Sequence, residues 1–303
     1  MMKRILTSVL FVVCLMVCGC SDDEDFVAPA FIHMDAMKVV ANANNPVSTD
    51  PGFYTSDITS VYVTAYYSGA RAHDTLGLFE LPFTVPVLHS GEVEYFEISP
   101  AVKQSGIAGV QPYYSYYNRV KLENITLTSG DTVDFDTLST TYNITRSDVL
   151  MAELFEPTEG SLLFDTAMKW NRYAATEACS GQGYGSVHVP ASMSSVPFTI
   201  DLDFYVSDPT KLLYLELDSR SDVSFEVYMK ASRQAGSAAE TQRVMVVNPS
   251  DRWNHMYINL GRTWAWLGYP ATFRITFAAL NVEGAEGEVR LDNVKLLTTN
   301  YVL

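Results

Sequence analysis

The chain has 303 residues, 48% of them hydrophobic and 12% aromatic, and its 20 Lys and Arg against 35 Asp and Glu give a formal charge of −15. That balance shows no basic face for nucleic acid, and a surface so acidic repels anionic polymers while tolerating divalent cations. Disorder is excluded over most of the length, and 18 Tyr with 15 Phe favour pleated strands over helices. The length suits about two domains.

Lys3 and Arg4 precede an apolar run over residues 5–17, which ends at Val17-Cys18-Gly19-Cys20. The run is too short for a comfortable membrane span, and small Gly19 stands where a peptidase would cleave. This segment resembles a bacterial lipoprotein signal with its lipobox. The resemblance implies that residues 1–19 are removed and that Cys20 is lipidated and anchors the chain to a membrane. Ser21-Asp22-Asp23-Glu24-Asp25 follows, within a tether over residues 20–29. It resembles the surface-export signal of Bacteroidetes lipoproteins and implies an outer-membrane, cell-surface location. Cys14 and Cys18 leave with the signal and Cys20 carries the lipid, so Cys179 is the one thiol of the mature chain and no intrachain disulfide forms. No His or basic neighbour marks Cys179 as a nucleophile.

Residues 30–145 read as the first domain. Strand signals recur at residues 58–66, 76–81, 93–98, 113–122 and 132–135, separated by Gly, Pro and Asn, and this spacing predicts an immunoglobulin-like β-sandwich. Pro82 and Pro86 interrupt ladder pairing, so the segment between them is expected to cross the sandwich as an extended connection. Gly77-Leu78-Phe79-Glu80-Leu81-Pro82, Pro86-Val87-Leu88, Gly106-Ile107-Ala108 and Pro112-Tyr113-Tyr114 together resemble the N-terminal half of a group of uncharacterised Bacteroidetes surface lipoproteins. No activity comes with that resemblance.

After the polar stretch ending at Thr145 the pattern changes, and residues 146–303 read as a second domain. Strands are expected near residues 198–204, 212–217, 224–230, 243–247, 253–260, 272–278 and 288–296, a count that suits a jelly-roll β-sandwich and makes the whole chain all-β. Phe155-Glu156, Trp170, Gly185-Ser186 and Arg290-Leu291-Asp292-Asn293-Val294-Lys295-Leu296, in that order, are similar to carbohydrate-binding-module jelly rolls. In that group the first strand's Glu and the last strand's Asp often sit near a structural Ca2+, which implies Glu156 and Asp292 as metal ligands; the alternative is a pair of exposed carboxylates at strand ends. Two oxygen ligands are fewer than calcium takes, so backbone carbonyls would supply the rest.

No catalytic constellation stands out. The histidines at 33, 73, 89, 188 and 255 are scattered, and Gly181, Gly183 and Gly185 lack the helix and Lys of a phosphate loop. Trp264, Trp266 and Tyr269 are the candidate ligand-binding residues, because sugar C–H faces stack on flat rings. Two geometries stay open. In an extended segment both indoles face one way; in a loop they line the rim of the sandwich, and core packing of these rings competes with both. Trp170 and Trp253 are expected in the core. The sequence reads as a non-enzymatic envelope lipoprotein that binds glycan. A structural lipoprotein with envelope protein partners and a glycan hydrolase with an unidentified site are the alternatives.

Overall fold

The computed structural model describes residues 28–67, 73–89, 91–156, 168–171 (backbone), 176–200, 202–232 and 237–300. The lipidation candidate Cys20 and the side chain of Trp170 lie outside the described residues. Among those described, no helix is long and apolar enough to cross a membrane.

The first half contributes β1 (Ala30–Met34), β2 (Ala36–Val39), β3 (Ser60–Tyr66), β4 (His73–Glu80), β5 (Phe83–Val87), β6 (Gly91–Ala101), β7 (Val120–Leu127), β8 (Thr132–Asp134) and β9 (Thr137–Thr140). One sheet runs β4-β3-β6-β7, and smaller sheets run β5-β1-β8 and β2-β9. In β3, Val61, Val63 and Ala65 are buried while Tyr62, Thr64 and Tyr66 are partly exposed. That alternation is the strand period, and it places the first set in one core with Ala30, Ile32 and Met34 of β1. The segment holding Pro86 is more ordered than expected. It is a strand at the edge of its sheet, paired to β1 with Phe31 opposite Pro86, and an edge tolerates the missing N–H. The strand expected from residue 113 begins only at Val120, because Tyr114, Tyr116 and Tyr117 are drawn into a turn and buried.

The second half contributes β10 (Ser147–Glu153), β11 (Met168–Asn171), β12 (Tyr184–Val189), β13 (Ser195–Thr199), β14 (Phe204–Tyr205), β15 (Leu213–Ser221), β16 (Ser224–Ala231), β17 (Glu240–Val247), β18 (Ser250–Asn259), helix α1 (Gly261–Trp266), β19 (Thr272–Leu280) and β20 (Gly287–Thr299). They form two facing sheets, β11-β12-β20-β15-β18 and β13-β19-β16-β17, so the all-β sandwich class read from the sequence is the one observed. β20 is the axis of the first. It pairs with β15 along one side, and with β12 then β10 along the other. Leu215, Leu217, Phe225, Val227, Ile275, Phe277, Leu291 and Leu296 fill the space between the sheets.

The outer face of that first sheet is also buried. Tyr214 of β15, Tyr257 of β18 and Leu297 of β20 belong to the core cluster of the first half, together with Tyr114, Tyr116, Tyr117 and Tyr142. Tyr114 packs edge-on against both Tyr214 and Tyr257, with centroids 5.3 and 4.9 Å away. Strands that alternate between core residues and residues such as Glu216 and Lys295 are therefore covered on both sides.

Candidate functional site

Residues 260–271 settle the geometry of the candidate aromatic residues. Gly261–Trp266 is a short helix, started where Asn259 Oδ1 accepts the Gly261 N–H at 2.8 Å and ended by Gly268 and Tyr269, both at positive φ. Residues two apart on a helix point about 200° apart. Trp264 therefore turns inward, fully buried, with its indole N–H donating to the Pro270 carbonyl at 3.0 Å. Trp266 turns outward and is 51% exposed; Tyr269 is 45% exposed and stands edge-on to Trp264 at 5.4 Å. Neither an extended pair nor two rim rings describes this: one indole is core and the other is surface. Tyr269 at φ 54° is notable, because a bulky side chain in the left-handed region is strained and such strain concentrates at functional positions. Trp253 is half-buried, its indole N–H bound to the Glu177 carbonyl at 2.8 Å.

Trp266 borders the outer face of the second sheet. Phe225, Val227 and Met229 of β16 point into the core, so Glu226, Tyr228 and Lys230 point out, opposite Val246, Arg243 and Thr241 of β17. Tyr228 and Arg243 both donate to Glu226, Arg243 Nη1 at 2.6 Å. A depression of about 700 Å³ is bounded by Tyr228, Thr241, Arg243, Arg262 and Trp266. A second, of about 480 Å³, is bounded by Asp203, Lys230, Tyr269 and Arg274 among others. They adjoin, because Lys230 of one is the cross-strand partner of Thr241 of the other. The result is a shallow surface on which Trp266 borders one depression and Tyr269 the other, with hydrogen-bonding side chains beside them. Of its members only Trp266 and Tyr269 were legible in the sequence.

Glu156 and Asp292 are buried, not exposed at strand ends. Both Glu156 oxygens accept the Gln182 N–H, at 3.0 and 3.2 Å. Asp292 Oδ2 accepts from the backbone of Cys179 and Ser180, and Oδ1 from Asn293 N. The two carboxylates thus pin the loop around residues 179–182. Gly181 in that loop has φ 63°, and a Cβ there would lie 1.5 Å from Glu156 Oε1. Calcium takes six to eight oxygens, whereas here N–H donors already occupy the carboxylates. Among the described residues no group of three or more His, Cys, Asp or Glu is arranged to hold a metal ion. The described residues do not form the calcium cage that the resemblance implied. Burial, then Asp218 and Asp292, pushes the Cys179 thiol well above its ordinary value, which disfavours a nucleophilic thiolate.

The densest polar cluster lies between the two halves. Glu216 of β15 accepts from Tyr114 and Tyr142 hydroxyls, each at 2.6 Å, and pairs with Lys295 Nζ at 2.8 Å. Lys295 also donates to the Phe53 carbonyl and the Tyr142 hydroxyl. Burial opposes ionisation of Glu216, but Lys295 and His255 outweigh it and hold the carboxyl below its ordinary value. Asp218, two residues on, accepts from Thr55 Oγ1 and Asn293 Nδ2 and meets His255 Nδ1 at 2.9 Å; burial opposes its charge, yet these partners hold it at about 2. Burial, the larger effect, and Asp218 push Asp292 up to about 8. Asn293 at φ 49° forms a bulge in β20 that lets Asp292 and Lys295 both face this centre. His255 had looked scattered; tertiary folding gives it its carboxylates.

No protein-family model matches the chain, and no curated protein does. Among solved structures it is similar to a family 29 carbohydrate-binding module, with 12% identity and a TM-score of 0.32 over 50% of this chain and 87% of that one. A family 29 variant complexed with cellulohexaose gives 10% and 0.33 over 50% and 92%. A family 61 module in complex with β-1,4-galactotriose gives 13% and 0.27 over 44% and 83%.

Proposed function

We propose that this protein is a cell-envelope lipoprotein that binds glycan in the shallow trough that Trp266 and Tyr269 border. The observation that carries the reading is the outward display of two half-exposed rings, one on strained backbone, each bordering one of two adjoining depressions, with Tyr228, Thr241 and Arg243 beside Trp266. Rings of this kind supply stacking area at small entropic cost, and the side chains between them supply hydrogen bonds to hydroxyls. Binding suits the trough better than hydrolysis. Asp203, the one carboxylate among the described residues bordering either depression, is held by Arg274, and glycoside hydrolysis takes two facing carboxylates.

The anchor belongs to the same proposal. Lipid on Cys20 would hold the chain at the outer membrane, with the acidic tether and first sandwich spacing the trough from the lipid. Cys20→Ala should release the protein from membranes; a variant that still sediments after a salt wash removes this part. For the trough, a glycan array probed with residues 21–303 should give ligands whose binding weakens by about 1 to 3 kcal/mol in Trp266→Ala. The melting temperature should stay nearly constant. An array without a binder, or binders indifferent to Trp266, overturns the reading.

A further inference from the structure

The charges around the trough run against the rest of the molecule. On a chain of formal charge −15, its two depressions are bordered by Lys230, Arg243, Arg262 and Arg274 but, among the described residues, by a single carboxylate, Asp203, with Glu226 accepting from Arg243. Arg243 is paired with Glu226, and Arg274 with Asp203. Lys230 and Arg262 are exposed and make no ion pair among the described residues. Their positions are informative. Arg262 precedes Trp266 by four residues on α1, so guanidinium and indole share one helix face and reach the same depression. Lys230 stands where the two depressions adjoin, opposite Thr241 and, on its other side, Arg274. These two cations, unpaired among the described residues, thus border the depressions, Arg262 beside Trp266 and Lys230 where the two adjoin.

A neutral sugar has hydroxyls and C–H faces, and unpaired cations add little to its recognition. A sugar acid offers a ring to stack and a planar carboxylate that matches the guanidinium fork. An acidic protein also repels a polyanion everywhere except at a local positive patch, so such a patch selects orientation as well as ligand. The geometry points to a polyuronate, a polysaccharide whose sugars carry carboxylates, as the ligand class of the trough, with Arg262 and Lys230 meeting successive carboxylates and Trp266 stacking the ring between. This rests on the glycan reading above and narrows it.

The test uses residues 21–303 with polygalacturonate and alginate, each beside its carboxyl-reduced, neutral form, by calorimetry at low and raised salt. At least one acidic polymer should bind about tenfold or more tighter than its reduced form, a factor that one charge-assisted contact supplies. Raised salt should erase the preference. Arg262→Gln and Lys230→Gln should each lower affinity for the acidic form and leave the neutral form unchanged, while Trp266→Ala should weaken both. Equal binding of acidic and reduced forms, salt-independent preference, or variants without effect overturns the polyuronate assignment and leaves glycan binding standing. Failure of both acidic polymers alongside binding of neutral array glycans does the same. No glycan bound at all removes both.

Discussion

Lys295→Met tests whether the two halves are packed as one body. Lys295 is fully buried and its ammonium meets the Glu216 carboxylate, the Tyr142 hydroxyl and the Phe53 carbonyl, each within 3 Å. Methionine fills much of the stem's volume but leaves Glu216 with only the more distant His255, 3.9 Å away, for a counter-ion and the Phe53 carbonyl without its donor. Breaking a buried pair in this way costs about 3 to 5 kcal/mol, on the order of 10 °C in melting temperature for a chain of this size. The pH dependence should change sign. In the native protein Glu216 is held below its ordinary value, so its contribution is present above that value and is lost as pH falls. Without Lys295, burial dominates and raises Glu216, so the variant's stability should instead fall as pH rises from about 4 to 8. Adding Glu216→Gln should restore most of the loss at neutral pH. Urea unfolding between pH 4 and 8 reads all three effects. A loss under about 1 kcal/mol with an unchanged pH profile would show that the pair is solvated, and the packing between the halves would be wrong.

Trp264→Ala should cost about 3 to 5 kcal/mol of stability, since the ring is fully buried, whereas Trp266→Ala should cost little; similar melting shifts for the two would refute the inward and outward assignment of α1. Asp292, raised to about 8, contributes stability that is present below its unfolded value and lost as pH rises toward 8. Asp292→Asn sets an amide N–H against one of the backbone donors of Cys179, Ser180 and Asn293 at every pH, but its stability relative to the native protein should rise between pH 4 and pH 8; a constant difference across the range counts against a raised Asp292. We propose a folding boundary near Thr145. Residues 148–303 alone should melt cooperatively but at a lower temperature than the whole chain, because the face carrying Tyr214, Glu216 and Tyr257 loses its cover; a molten fragment refutes the boundary.

The class of the fold was legible because strand alternation is local. Val61, Val63 and Ala65, or Leu213, Leu215 and Leu217, declare a buried face by their spacing alone. The proposed signal and lipid-bearing Cys20 rest on equally local readings, of charge, length and a small residue before Cys20. What sequence could not show is what covers the opposite face. Tyr214, Glu216 and Asp218 alternate with those leucines, yet the turn bearing Tyr114, Tyr116 and Tyr117, some hundred positions away, packs on Tyr214 and Glu216, and Thr55 meets Asp218. The aromatic run around Tyr113 reads as a strand for the same reason: its rings suit a sheet, and only their partners in the other half make a turn the better packing. Around α1, sequence singled out Trp264, Trp266 and Tyr269 but not which ring faces water, because that depends on whether residues 261–266 are helical. Lys230, Arg243 and Arg262 carried no local signal. Three charged residues in separate elements come together only when β16, β17 and α1 meet, and meeting is decided by long-range packing rather than by any residue's own neighbours.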